Sequence, residues 1–284
     1  MILLTGATGK TGGETAKALA AKGVKIRALV RNAEKAASLK AAGIELAIGD
    51  ASDAASVQKA LTDVDRLLVL LPNSQQQLEL EKQLVDLAKK AGVRHVVKMS
   101  SMEAMATATT PIPKIHWASE EHIRKSGLAW TMIKPNFFMQ NLLASARSIK
   151  ENGSFSLPMG TGKTAMSDTR DIGAVTAEAL SGKGHEGKSY EVTGPELLTF
   201  GQVAERFSEV LGRKINYVAA DPAVYLGILK KVLPNEWHAN AVSQLFGQIA
   251  EGGLEYTTDT FKKLMGREPI SLGQFLRDHI GAFR

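Results

Sequence analysis

Along residues 1–135, short unbroken apolar runs alternate with stretches of helical spacing. Residues 2–5 read as a strand, followed by a glycine-rich turn and a helix over 13–22. The same alternation continues with strands at 24–30, 44–48, 66–71, 93–99 and 129–133, and helices at 33–42, 54–61, 75–91 and 115–125. Runs such as Leu67-Leu68-Val69-Leu70-Leu71 carry no polar residue. Such a strand is buried on both faces, as in a parallel sheet covered by helices. Strands alternating with helices make right-handed crossovers, so the expected class is α/β, a Rossmann-type doubly wound parallel sheet.

Past residue 152 the rhythm changes. Short strands at 155–157, 189–192 and 215–218 mix with helices at 171–180, 200–211, 221–232, 236–250 and 272–280. The expected division is a dinucleotide-binding domain over 1–152 and a smaller α+β substrate domain over 153–284, covering the carboxyl ends of the sheet. Part of 165–193 is expected to pack back on the Rossmann sheet.

Composition narrows the chemistry. The 284 residues include no cysteine, which excludes disulfides, thiolate catalysis and cysteine-held zinc or iron–sulfur centres. No basic stretch follows Met1 to mark a signal peptide, and no apolar run is long enough to span a bilayer, so a cytoplasmic location with no membrane partner is expected. The net charge of +6 is spread over 35 dispersed basic residues, and aromatics make up only 6%. Dispersed lysines and few stacking rings point away from nucleic acid. No metal site is expected, because the histidines lack a third ligand at suitable spacing.

The chemistry begins at Leu4-Thr5-Gly6-Ala7-Thr8-Gly9-Lys10-Thr11-Gly12-Gly13, between the first strand and the first helix. Gly6 can take positive φ, Gly9 admits a pyrophosphate to the backbone, and Gly12 permits close packing. The helix start then offers N–H groups and its positive dipole end to phosphates, so Gly6, Thr8, Gly9, Lys10, Thr11 and Gly12 are candidate dinucleotide contacts. Gly9-Lys10-Thr11 and Gly162-Lys163-Thr164 each mimic a nucleotide-triphosphatase loop. That loop needs a glycine five residues earlier, where positions 4 and 157 hold leucine. Strand two ends in Arg31, where an NAD binder usually carries an acid for the ribose 2′-hydroxyl. With Lys35 one turn on, this pattern favours the 2′-phosphate of NADP(H). Asp50 and Ala51, after strand three, fall where the adenine would lie, and Asp53 reads as a helix cap.

Taken together, Thr5-Gly6-Ala7-Thr8-Gly9, Val30-Arg31-Asn32, Gly49-Asp50, Ser126 through Thr131 and Lys134-Pro135-Asn136-Phe137-Phe138 resemble the NmrA-like branch of the atypical short-chain dehydrogenases/reductases. Asp168-Thr169-Arg170-Asp171-Ile172 and Tyr190-Glu191-Val192-Thr193-Gly194 extend the resemblance into the second half. It implies an NADP(H)-dependent oxidoreductase fold of the kind found in triphenylmethane, quinone and azo reductases. The same family includes NADP-sensing regulators without turnover.

The larger superfamily uses a Tyr-x-x-x-Lys pair, and none of Tyr190, Tyr217, Tyr225 and Tyr256 has lysine four residues later. In the corresponding helix, His116 and Glu120 look like a His-x-x-x-Glu variant on one helix face. The imidazole, with an ordinary pKa near 6.5, is the expected proton donor, with Glu120 and Ser101 as further candidate catalytic groups. By the same resemblance, Leu71, Pro72 and Asn73 pass the nicotinamide ribose, Ser100 orients the carboxamide, and Lys134, Pro135 and Asn136 border the nicotinamide. Phe137, Phe138 and Met139, with Tyr225 and Trp237, are expected to line a slot for a planar acceptor. The leading expectation is an NADPH-dependent reductase of a quinone, azo or triarylmethane-like compound, or of an aromatic biosynthetic intermediate. The alternative is a non-catalytic NADP(H) sensor that binds a protein partner. A homodimer is compatible with either.

Overall fold

A computed structural model describes residues 1–284. The first half runs Ile2–Leu4 (β1), Lys10–Ala21 (α1), Ile26–Val30 (β2), Ala37–Ala41 (α2), Glu45–Ile48 (β3), Ala54–Ala60 (α3), Arg66–Val69 (β4), Gln77–Lys90 (α4), His95–Met99 (β5), Pro111–Lys125 (α5) and Ala129–Pro135 (β6). A 3₁₀ turn at Met139–Ser145 leads to Ala146–Asn152 (α6), Ser154–Leu157 (β7), Lys163–Thr164 (β8), Thr169–Ser181 (α7) and Lys188–Val192 (β9). The chain ends with Leu198–Thr199 (β10), Phe200–Leu211 (α8), Asn216–Ala219 (β11), Pro222–Val232 (α9), Glu236–Ala250 (α10), Thr260–Met265 (α11), Leu272–Asp278 (α12) and Ile280–Phe283 (α13). No helix is long and apolar enough to cross a membrane.

The chain forms two compact units. The first gathers 1–108, 113–134 and 169–191, and the second gathers 109–112, 135–168 and 192–284. The sequence had suggested a break after residue 152, with part of 165–193 packing back on the sheet; the chain changes unit at the last residue of β6 and again on either side of α7 and most of β9. The segment 169–191 stays with the first unit because α7 lies along α1 there. Lys22 Nζ pairs with Glu178 at 2.5 Å, and Arg66 donates to the carbonyls of Leu180 and Gly182 at 2.9 and 2.8 Å.

The first unit is built on a seven-stranded sheet of order β3-β2-β1-β4-β5-β6-β9. Strands β3 to β6 pair in parallel. Strand β9 joins in the same sense, since Gly187 N–H meets Trp130 O near the start of β6 and Asn136 N–H meets Val192 O at its end. Leu3, Leu67, Val69 and Val96 are fully buried among the side chains of α3 and α4, as unbroken apolar strands require. The strand order reverses between β1 and β4, and ligands of such sheets bind beyond the carboxyl ends at that switch point. Buried Thr5 braces it: Oγ1 donates to Leu68 O at 2.8 Å and accepts from Leu70 N–H at 2.9 Å. That bond ends β4 at Val69, short of the expected residue 71.

The second unit holds two small sheets, β10-β8 antiparallel and β11-β7 parallel. They pack with α8, α12 and α13 around Phe155, Phe200, Phe207, Phe275 and Phe283.

Two helices differ from their expected spans for local reasons. Helix α2 covers only the second half of 33–42, because Asn32 Oδ1 accepts from Lys35 N–H and i→i+3 turns occupy 33–37. Helix α5 starts four residues before 115, since Pro111 and Pro113 fall in its first turn, where no N–H partner is needed.

Candidate active site

Three strand ends of the first unit carry the residues expected to meet a nucleotide. Between β1 and α1 the chain turns through Gly6 at φ +67°, the left-handed region that glycine occupies without strain. A Cβ on Gly12 would lie 2.1 Å from the Gly6 carbonyl oxygen, so only glycine lets the helix start sit this close to the loop. Gly9 N-caps α1, no side chain caps the helix, and its first turn holds no acid. By contrast, Asp53 caps α3, Thr199 caps α8 and Asp221 caps α9 with their own oxygens. The start of α1 is thus built to receive an anion from outside. Thr8, Gly9 and Lys10 are exposed, and Thr11 is buried.

At the end of β2, the Arg31 side chain is 81% exposed, with Nε 3.9 Å from Asp50 Oδ2. This loose contact leaves the guanidinium fork open to a phosphate. The Asp50 carboxyl is held below the usual carboxylate range, first by the Ser52 hydroxyl and N–H that it accepts from. Lys35 is exposed and Ala51 half-buried. Beyond β4, Leu71 and Asn73 are half-buried and Pro72 is exposed.

A second cluster of the same unit lies around β5 and brings the expected Ser100, His116, Glu120 and Lys134 together with residues that sequence reasoning had not named. Lys98 is fully buried, and its Nζ donates to Glu81 Oε1 at 2.8 Å, Met99 O at 2.7 Å and His116 Nδ1 at 3.2 Å. Gln77 Nε2 also donates to Glu81 Oε1, at 3.1 Å. Alongside, Glu120 accepts from the Ser100 hydroxyl on Oε1 and from Arg124 on Oε2 at 2.6 Å. Lys134 Nζ stands 3.3 Å from that second oxygen and donates to Ala104 O at 2.8 Å. The Arg124 guanidinium lies over the rings of Trp117 and Trp130, 5.0 and 5.3 Å from their centroids.

This geometry revises three expectations. Glu120 is fully buried with both oxygens engaged, so it fixes Ser100, Arg124 and Lys134 and presents no free carboxylate. The Lys134 ammonium is likewise held within the protein, by Ala104 O and Glu120. His116, 8% exposed, is held well below its ordinary pKa by burial and then by the Lys98 and Lys134 charges. It is therefore neutral at physiological pH and unsuited to the proton-donor role. Ser101 Oγ is buried beside the Glu103 carboxyl. Burial pushes the nearby Glu103 carboxyl up.

In the second unit, Asn136 Oδ1 accepts from Phe137 N–H at 2.7 Å and from Thr164 Oγ1 at 2.9 Å, while Nδ2 is buried with no partner. A buried amide donor without an acceptor is costly, which suits a position that a ligand completes. Phe137 is half-buried, its ring 6.0 Å from Phe200 and 6.2 Å from Phe246, and Tyr225 also stacks near Phe246. Phe138 keeps partial exposure, whereas Met139 is 2% exposed and belongs to the core. Pro135 is buried and Trp237 half-buried on α10.

Lys98, Glu81, Gln77 and Arg124 were missed by sequence reasoning. The available signal was a lysine inside the apolar run His95-Val96-Val97-Lys98-Met99, since a lysine on a strand buried on both faces demands a partner.

The sequence profile of the NmrA-like family matches residues 1–276. An NAD(P)H azoreductase from Xenophilus azovorans is 35% identical, over 100% of this chain and 99% of its own length. The crystal structure of an NADPH-dependent quinone oxidoreductase from Escherichia coli, complexed with NADPH, superposes with a TM-score of 0.89 at 30% identity, covering 99% of this chain and 100% of that one. The triphenylmethane reductase of Citrobacter sp., complexed with NADP(H), gives 0.86 at 26% identity, covering 96% and 98%.

Proposed function

The chain belongs to the NmrA-like family, and from that premise we propose that this NAD(P)H-dependent reductase passes hydride to a planar, electron-poor acceptor of the quinone or azo class. Its coenzyme is NADP(H). The residues present fit that group. The uncapped start of α1 and the glycine-only contact at Gly12 suit a pyrophosphate, and the exposed Arg31 fork suits a 2′-phosphate. When bound, NADPH supplies a hydride to the acceptor.

The observation that carries the acceptor class is the state of His116. No Tyr-x-x-x-Lys pair exists, and the one histidine at the expected place is buried and neutral, with Nδ1 taken by Lys98. A neutral imidazole can donate a hydrogen bond but gives up a proton poorly. That suits an acceptor whose reduced form spreads its negative charge and is protonated by water. An unactivated ketone needs a dedicated acid, which contributes about 10²–10⁴-fold. Phe137 and Phe138 are the apolar residues proposed to meet the acceptor ring, and the Asn136 amide is proposed to take an acceptor atom of the bound ligands.

The test offers purified protein NADPH with, in turn, a simple quinone, an azo dye, a triarylmethane dye and an aliphatic ketone. Turnover with the conjugated acceptors and none with the ketone supports the reading. Tight NADPH binding with no turnover on any of them overturns it in favour of a coenzyme sensor.

A further inference from the structure

Lys98 is a fully buried lysine, and the proposed function gives it no task. We propose that Lys98 is a positioning residue that locks His116 into one neutral tautomer, with hydrogen on Nε2. The imidazole is thereby a fixed hydrogen-bond donor through Nε2. This inference rests on the reductase reading for its consequence and on the geometry of the first unit for its substance.

An ammonium has three donors and no acceptor. Those of Lys98 are all directed: to Glu81 Oε1 on α4, to the Met99 carbonyl and to His116 Nδ1 on α5. His116 Nδ1 therefore accepts, and the hydrogen of the neutral ring sits on Nε2. Protonating Nδ1 would set an N–H against the ammonium 3.2 Å away, so the imidazolium form is blocked at this site. The charged groups around the ring act in the same sense. Lys98 on β5 and Lys134 at the end of β6 both oppose a further positive charge. Glu81, on α4, is bound to Lys98. Glu120, one turn along α5, is held by Ser100, Arg124 and Lys134. Glu103, in the loop after β5, is half-buried with its carboxyl pushed up by burial. None of these carboxylates bonds to the imidazole, whose Nδ1 is taken by Lys98, while Glu81 keeps Oε2 buried without a partner.

The chemical consequence balances without a protein acid. Hydride from the coenzyme forms a C–H or N–H bond on the acceptor. The π pair moves onto an oxygen or nitrogen, Nε2–H binds that anion, and water protonates it. A donor aimed at developing charge contributes about 10²–10³-fold.

The experiment is nitrogen NMR of the imidazole rings in the full-length protein, with the His116 signals assigned by their loss in His116→Asn. The expected result is a single Nε2–H tautomer that does not change between about pH 5 and about pH 8. An Nδ1–H tautomer, or a titration near the ordinary histidine value, overturns the proposal. A second arm uses Lys98→Met together with Glu81→Gln, so that no carboxylate is left buried and unpaired. There the ring should begin to titrate, kcat should fall by about tenfold or more with a new pH-dependent limb, and KM for NADPH should hold. A variant that loses stability but keeps a flat pH profile overturns the positioning role. If the pair does not fold, the wild-type spectra decide alone. Turnover is not needed for the tautomer measurement, so failure of the reductase reading and failure of this one are separable.

Discussion

Around the β1–α1 turn, no side chain caps the helix and the Arg31 guanidinium stands open to solvent, whereas around β5 nearly every donor already has its acceptor. Both regions belong to the same unit and both gather positive charge. The first keeps its charge available, as a site for an exchangeable polyanion must. The second buries two lysines and neutralises them with Glu81 and Glu120, at distances of 2.8 and 3.3 Å. The contrast separates binding from positioning. Loose contacts such as Arg31 with Asp50 are easily exchanged for a ligand. Saturated ones such as Lys98 hold a ring orientation and a tautomer through each turnover.

The largest expected effect breaks the closed region. Lys98→Met leaves Glu81 in the interior without its counter-charge, with only the Gln77 amide bonded to it, and removing one partner of a buried pair costs about 3–5 kcal/mol. Urea denaturation should show that loss, and adding Glu81→Met should recover most of it. Equal stability of Lys98→Met and wild type would mean that the pair is hydrated or neutral.

The two regions also differ in how legible they were in the sequence. The open region is local: Gly6, Gly9 and Gly12 lie within one turn, and Arg31 announces itself by standing where an acid is usual. The β5 cluster draws Glu81, Lys98, His116 and Lys134 from four elements, with Lys98 separated from its side-chain partners by 17 and 18 residues. No spacing rule joins them. His116 and Glu120 were found as a pair on one helix face, yet their environment reverses the roles that the pair suggests. One partner is a neutral donor and the other a brace. The return of part of 165–193 to the first unit was expected, whereas the change of unit at the end of β6 was not, and residues 169–191 are held by contacts to α1 and Arg66 that span most of the chain.

Acidification gives a smaller effect with a definite sign. His116 is depressed below its unfolded value near 6.5, so the unfolded chain binds the extra proton first as pH falls. Its contribution to stability is therefore complete above about pH 6.5 and is lost below it, at up to about 1.4 kcal/mol per pH unit. His95 and His238, also lowered by burial, add the same sign. Thermal melts of wild type and His116→Asn across that range should differ in slope, with the variant flatter. Parallel slopes would place the titration elsewhere.

The smallest effect sharpens the open region by comparison with a closed neighbour. Asp53→Ala removes the side-chain cap of α3 and should cost about 1 kcal/mol of stability while leaving the NADPH dissociation constant unchanged. A weakened NADPH affinity would show that the α3 start shares in coenzyme binding.

The central claim is that the open region selects the phosphorylated coenzyme and the protein then uses it as a reductant. The most direct test follows oxidation of NADPH and of NADH with one quinone, for wild type and Arg31→Ala side by side. The account predicts that wild type prefers NADPH, and that the substitution lowers kcat/KM for NADPH by tenfold to several hundredfold, as loss of a charge-assisted bond of about 1.5–3 kcal/mol requires, with little change for NADH. Equal losses with both coenzymes, or no preference in the wild type, would contradict it.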